Sequence, residues 1–308
     1  DNSESTSHAV DGDTVTLSIT ASKNLQQLTD QTVTFSVGGV AVASSRTTVT
    51  GANGQTVFSA SFTVANGDLD GPVGFTIEYS DMAGNAGVNA NSTTDLTSVT
   101  VDNTAPTLTS VSITSDRAPR PAGVDSVVTV SFSSSEPIDN TTGVTVAGRP
   151  ASLVCEGQNC EATITVMSAD ADGVAALSVT FRDLTGNAAA AAVTATTDGS
   201  SVMLDTTPPT LTPVSLSSDR VPAGVGSTVT LAFTASEPLY LWPTILIAGQ
   251  VATVSCVGNN CTANVTVLAS DVEGTISFHV AGYRDLGGNP GTNVTTVTDG
   301  SSATIDTT

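Results

Sequence analysis

The chain has 308 residues, 12% of them charged and only 4% aromatic, with a formal net charge of −21. A chain this acidic, with seven Arg and the single Lys23, offers no basic surface for nucleic acid or an anionic membrane. No apolar run reaches the ~18 residues that a membrane helix needs, so no direct membrane span is expected. The chain opens on Asp1 with no initiator Met or leader and closes on Ile305-Asp306-Thr307-Thr308, so it reads as a mature or excised piece of something longer.

Taken in chain order, the apolar residues alternate with polar ones. Residues 15–19 read VTLSI, 128–132 VTVSF, 164–166 ITV, 229–233 VTLAF and 265–268 VTVL. Alternation at period two predicts half-buried strands, and Gly, Asp, Asn or Pro clusters between them predict turns. The scarcity of Lys and Glu argues against helices.

The chain also repeats itself. Val101-Asp102-Asn103-Thr104-Ala105-Pro106-Thr107-Leu108-Thr109 returns as Leu204-Asp205-Thr206-Thr207-Pro208-Pro209-Thr210-Leu211-Thr212. Ser135-Glu136-Pro137 returns as Ser236-Glu237-Pro238, Ala147-Gly148 as Ala248-Gly249, and Arg182-Asp183-Leu184-Thr185-Gly186-Asn187 as Arg284-Asp285-Leu286-Gly287-Gly288-Asn289. A divergent first copy keeps Gly38-Gly39 and Asp81-Met82-Ala83-Gly84-Asn85 but has Lys23 where the others have Glu136 and Glu237. The expected division is 1–103, 104–206 and 207–308, and about seven short strands per copy predict a β-sandwich. Proline in the short junctions predicts stiff connections.

The set S-E-P, A-G, D-L-x-G-N and D-(T/N)-T-x-P-T resembles the tandem immunoglobulin-like repeats of large bacterial surface adhesins, closely over 104–308 and loosely over 1–103. The resemblance implies an all-β chain of three tandem immunoglobulin-like β-sandwich domains in an elongated rod. It also implies an extracellular, cell-surface location and a structural, non-catalytic role as the stalk or spacer of an adhesin. Its partners would be neighbouring repeats of the same chain. The paired Cys depart from the usual adhesin pattern and leave a eukaryotic extracellular source open.

On that fold, the loops carrying acids meet at the junctions. The first junction would gather Asp68 and Asp70 from a D-x-D-G loop, Asp102 from the linker, and Glu136 and Asp183 from the next domain. The second would gather Asp170, Asp172, Asp205, Glu237 and Asp285. A third loop of the same kind reads Asp271-Val272-Glu273-Gly274. Five carboxylates in one place call for a cation, and Ca²⁺, which takes six to eight oxygen ligands, is the expected cofactor. The logic is similar to that between cadherin domains. The competing reading is that D-x-D-G and D-L-x-G-N are turns stabilised by Asx hydrogen bonds. Lys23 argues against a cation at the corresponding end of the first copy.

Cys155 and Cys160, and Cys256 and Cys261, each bracket a Gly/Asn turn, which predicts two hairpin disulfides and an oxidising compartment. Asn91, Asn140, Asn260, Asn264 and Asn293 head N-x-S/T triplets, no more than chance gives in a chain this rich in Ser and Thr. Tyr240-Leu241-Trp242 is the most aromatic segment: either a contact patch or a cap on the core beside Leu239 and Ile245. As a contact patch it allows two other functions. One is a subunit of a polymeric surface filament, such as a mastigoneme-like flagellar hair built from copies of the chain. The other is a carbohydrate-binding module. No nucleophile elbow, P-loop or dinucleotide fingerprint is present, so no enzyme activity is expected.

Overall fold

The computed structural model describes residues 7–308, and every regular element there is a strand except one short 3-10 turn at Ser44–Arg46. The alternation seen in the sequence decides which face of each strand is buried. In the strand Val127–Ser134, Val128, Val130 and Phe132 are buried and the residues between them are not. β-branched residues suit that pleated, half-buried surface.

The first sandwich contains β1 (His8–Ala9), β2 (Thr14–Thr20), β3 (Val33–Val37), β4 (Val40–Ala41), β5 (Thr47–Thr50), β6 (Val57–Thr63), β7 (Gly71–Ile77) and β8 (Thr100–Val101). Its sheets run β2-β6-β5 and β1-β8-β7-β3-β4.

The second contains β9 (Leu108–Ser115), β10 (Val127–Ser134), β11 (Gly143–Val146), β12 (Arg149–Pro150), β13 (Ser152–Glu156), β14 (Asn159–Thr165), β15 (Gly173–Val174), β16 (Leu177–Thr180) and β17 (Met203–Leu204). Its sheets run β13-β14-β10-β9 and β12-β11-β16, with a β15-β17 pair.

The third contains β18 (Leu211–Ser218), β19 (Thr228–Ala235), β20 (Leu239–Leu241), β21 (Thr244–Ile247), β22 (Gln250–Val251), β23 (Thr253–Val257), β24 (Asn260–Thr266), β25 (Gly274–Thr275), β26 (Phe278–Ala281), β27 (Arg284–Asp285) and β28 (Thr304–Ile305). Its sheets run β18-β19-β24-β23 and β22-β21-β26, with β20-β27 and β25-β28 pairs.

In the last two sandwiches β9, β10, β14 and β13, and likewise β18, β19, β24 and β23, share one sheet, while β11 pairs with β16 and β21 with β26 in the other. This is the A-B-E-D and C-F arrangement of an immunoglobulin-like domain. A short parallel contact recurs in all three: β1 with β8, Ala122 with Leu204, and Ala223 with Ile305.

By compactness the chain divides into two units, Asp1–Thr109 with Ser134–Gly143 and Val179–Ala192, and Ser110–Ser133 with Val144–Ser178 and Val193–Thr308. The division runs through the middle sandwich. Each group of junction acids therefore lies inside one unit.

The first core centres on Phe35 and Phe62, whose ring centroids are 5.0 Å apart, and the third on Leu231, Ile245, Ile247 and Tyr283. Each such side chain contributes roughly 1.5–3 kcal/mol by leaving water. Cys155 bonds to Cys160 and Cys256 to Cys261, in each case a pair directly opposite across a hairpin, as the spacing predicts. A loop this small removes little unfolded-state entropy, so each bridge pins its hairpin's register.

Two glycines are fixed by close approach. A Cβ on Gly291 would lie 1.9 Å from the Tyr283 ring, and one on Gly87 2.2 Å from Tyr79. Tyr283 is fully buried and donates from its hydroxyl to the Thr292 carbonyl at 2.7 Å, so it cannot swing aside cheaply. Gly291→Ala is expected to destabilise the third sandwich by about 1–3 kcal/mol through overpacking. Thermal unfolding of the variant checks this.

Candidate metal centres

The hairpin loops place the acids. Asp102, Glu136 and Asp183 each offer an oxygen within 4.8 Å of the others, and Asp205, Glu237 and Asp285 form the same grouping. Asp102 and Asp205 follow β8 and β17; Glu136 and Glu237 follow β10 and β19; Asp183 lies just beyond β16, and Asp285 ends β27.

Asp183 and Asp285 are buried, and each organises a turn. Asp183 Oδ1 accepts from the backbone N–H groups of Thr185 at 2.8 Å, Gly186 at 2.6 Å and Asn187 at 2.9 Å. Burial opposes its ionisation, but the hydrogen bonds from Thr185, Asn187 and Gly186 outweigh burial and hold its pKa below the usual carboxylate value. Asp285 accepts from the Asn289 backbone at 2.9 Å and its Nδ2 at 2.8 Å. The D-L-x-G-N loops are thus turns organised by their Asp, and the same two carboxylates still face two other acids each.

Glu136 feels the crowding. Burial, then the charges of Asp102, Asp183 and Asp70, push its pKa up. Glu237 is pushed up to about 7 by burial and by Asp205, Asp285 and Asp172. Asp205 is raised by burial and by Asp285. A proton or a cation relieves this repulsion, and at neutral pH a divalent cation relieves more of it.

The remaining sequence candidates divide into two kinds. Asp70 and Asp172 sit close enough to raise the glutamates, yet their oxygens are engaged by the linkers. Asp70 accepts from Asn103 N–H at 2.7 Å and from the Thr104 hydroxyl. Asp172 accepts from Thr206 N–H at 2.6 Å and the Thr207 hydroxyl at 2.6 Å, bonds that lower its pKa. Asp68 and Asp170 are not gathered into the three-acid groups. Arg46 grips Asp68 from two nitrogens, and Arg149 grips Asp170 at 2.7 Å through both Nε and Nη2. A carboxylate held by a guanidinium is neutralised already and has no electrostatic need of a metal. A signal for this existed: Arg149 and Gln250 both follow an Ala-Gly pair, and Gln250 Nε2 donates to Asp271 at 2.8 Å.

Sequence reasoning missed Asn187 and Asn289. Asn187 Nδ2 donates to the Asp102 carbonyl at 2.8 Å, and Asn289 Nδ2 to the Asp205 carbonyl at 2.6 Å. Asn289 Oδ1 also accepts Val124 N–H at 3.0 Å. These amides tie each linker to the loop that carries the buried Asp. The signal was the Asp-x-x-x-Asn spacing in all three copies. In the first copy Asp81 accepts from Asn85 in the same way, and Lys23 adds positive charge beside it.

The other singled-out residues are exposed. Tyr240, Leu241 and Trp242 are 58%, 48% and 51% exposed, with the Arg120 guanidinium 3.9 Å from the Tyr240 ring centroid. Trp242 therefore does not seal the core, and Ile245 is fully buried without it. The Asn residues at 91, 140, 260, 264 and 293 are all exposed. No helix among the described residues is long and apolar enough to cross a membrane.

The strand order makes this a tandem immunoglobulin-like β-sandwich protein. Among solved structures, it is similar to the Escherichia coli adhesin FdeC at 16% identity, over 99% of this chain and 95% of that one, with a TM-score of 0.37. It is also similar to an ICAM-5 D1–D4 ectodomain fragment at 14% identity, over 96% and 74%, with a TM-score of 0.35. Fibronectin(III)-like modules of Clostridium thermocellum CbhA match at 16% identity, over 63% and 93%, with a TM-score of 0.29. All are low in identity and in TM-score, so the strand order rather than the overlays defines the fold. No family model and no curated protein matches the chain.

Proposed function

We propose that the chain is a structural, extracellular rod segment of a cell-surface adhesin or stalk, with domains 1–103, 104–206 and 207–308 joined stiffly by Ca²⁺. The observation that carries this reading is the repeated group of three carboxylates, Asp102 with Glu136 and Asp183, and Asp205 with Glu237 and Asp285. Each group joins a linker to two loops of the sandwich that follows. A hard cation with oxygen ligands fits the donor set, and neither group contains the His or Cys that zinc favours. Asp70 and Asp172 add negative potential at the two groups while their oxygens stay bonded to the linkers. The disulfides support an oxidising, extracellular setting.

The test is thermal unfolding with small-angle scattering, first in millimolar Ca²⁺ and then in EDTA. The expected result is a higher Tm and a stiffer particle with calcium. Identical melting and scattering in both would leave the acids as turn formers and defeat the calcium reading.

The exposed Tyr240-Leu241-Trp242 patch favours a second reading, a filament subunit with lateral contacts between copies. Concentration-dependent fibres that vanish on Trp242→Ala would support it. A monomer at high concentration would not.

A further inference from the structure

The loop between β9 and β10 is longer than its counterpart between β18 and β19. Residues 115–123 read SDRAPRPAG, where 218–224 read SDRVPAG. The longer loop sets Arg120 between Pro119 and Pro121. Proline fixes its own φ and biases its predecessor toward an extended backbone, so Arg120 is held out from the loop in few conformations.

This loop of the second sandwich lands on the third. The Arg120 guanidinium lies 3.9 Å from the Tyr240 ring centroid. Its Nη1 is buried, and among the described residues no oxygen accepts from it. The ring face is what it meets, and a cation over such a face is attracted to it. The Arg117 guanidinium packs on the backbone of Gly288, where a Cβ would lie 2.2 Å from Nη1. Gly123 approaches Gly287 as closely: a Cβ on Gly123 would lie 2.3 Å from the Gly287 carbonyl oxygen. Hydrogen bonds close the contact. The Ala122 carbonyl accepts Asp205 N–H at 3.0 Å, the Asp205 carbonyl accepts Asn289 Nδ2, and Asn289 Oδ1 accepts Val124 N–H. Tyr240 and the Gly287-Gly288-Asn289 turn move as one, because β20 pairs with β27 through Leu239 and Leu241.

The first junction replaces both halves of this contact. Asp139 stands in the second sandwich where Tyr240 stands in the third, and its carboxylate is taken by Arg182 Nε at 2.7 Å and Thr141 N–H at 2.9 Å. A Cβ on Gly186, the counterpart of Gly288, would meet nothing within 4 Å. The turn before β2 is Val10-Asp11-Gly12-Asp13, which has no arginine and closes on itself through Asp13 N–H and the Val10 carbonyl at 3.0 Å.

We propose that residues 117–124 form a strut that fixes the second sandwich on the third without any cation, with Arg120 stacked on Tyr240 as its anchor. The strut also grips the turn that carries Asp285, so Asp205, Glu237 and Asp285 stay gathered when no ion is bound. Tyr240 then belongs to a joint within the chain, and Leu241 and Trp242 are the outward part of that segment.

The test uses the isotope-labelled 308-residue chain in EDTA, so success or failure of the calcium reading does not affect it. Two quantities are read by nuclear magnetic resonance. Residual dipolar couplings of β10 and β14 and of β19 and β24 are expected to fit one alignment tensor. The Val124 amide, whose acceptor lies across the junction, is expected to be protected from hydrogen exchange. Arg120→Ala and Tyr240→Leu should each speed that exchange by about 3–10-fold, the worth of a partly desolvated cation–π contact. Tyr240→Phe keeps the ring and should leave the rate unchanged, which separates stacking from general packing. Exchange at the β19 amides reports that each variant is folded. Separate tensors for the two sandwiches in EDTA, or an unprotected Val124 amide, would overturn the proposal with no variant needed. Equal rates in the parent and Arg120→Ala chains, or a Tyr240→Phe chain as fast as Tyr240→Leu, would remove the stack as its anchor.

Discussion

Asp285→Ala is expected to destabilise the third sandwich by about 2–4 kcal/mol and to abolish its response to calcium. Asp285 is fully buried and takes both the backbone N–H and the Nδ2 of Asn289. Asn289 in turn holds the Asp205 carbonyl and Val124 N–H. Removing the carboxylate leaves two donors unpaired in a buried place, which costs more than the bond itself contributes. It also removes one of the three oxygens around which a cation would gather. The control is Asp299→Ala, an exposed turn acid that accepts from Ser301 and belongs to neither three-acid group, which should leave the calcium response intact. Melting with and without calcium, resolved by hydrogen exchange at β19 and β24, checks both. An Asp285→Ala chain with an undiminished calcium shift would remove this residue from the site.

Glu237 should make stability fall as pH rises, the reverse of the usual carboxylate. Its pKa is about 7 in the folded chain, against an ordinary value of 4.5. Between those values the folded chain holds a proton that the unfolded chain releases. Stability is therefore greatest near the lower value and declines as pH climbs through about 7. The loss between about pH 5 and about pH 8 in EDTA is expected to be roughly 1–3 kcal/mol, after allowing for partial solvent screening. Millimolar calcium should flatten this profile, because the cation replaces the proton as the neutralising charge. Glu237→Gln should flatten it too and raise stability in EDTA at neutral pH, while weakening the calcium shift. A pH profile that rises from about 5 to about 8 in EDTA would contradict the crowding of Glu237 by Asp205 and Asp285.

Much of the fold was legible because β-structure writes itself at short range. Period-two alternation put Val128, Val130 and Phe132 on one face, and the strand there has that face buried. Cys155 and Cys160 flank a four-residue turn, and that spacing places them opposite each other in an antiparallel pair. The candidate site was legible in part. The repeat matched Asp102 with Asp205, Glu136 with Glu237 and Asp183 with Asp285, and the loops do bring each trio together. The linker partners of Asp70 and Asp172 were not legible, because Asn103, Thr104, Thr206 and Thr207 act through hydrogen bonds that charge patterning does not reveal.

The amino-acid sequence by itself determined the strands, the turns, the repeat and the pairing of the cysteines, since each depends on residues close in the chain or on alternation along one strand. Only the tertiary structure decided which acids remain available. Arg149 reaches Asp170 across 21 residues and Arg46 reaches Asp68 across 22, so one acid at each junction becomes an ion pair rather than a candidate ligand. Tertiary structure also decided that Trp242 is half exposed rather than enclosed. Those outcomes depend on which strands neighbour one another in a sheet. That is set by packing across the whole sandwich, where the short-range rules of strand and turn have no say.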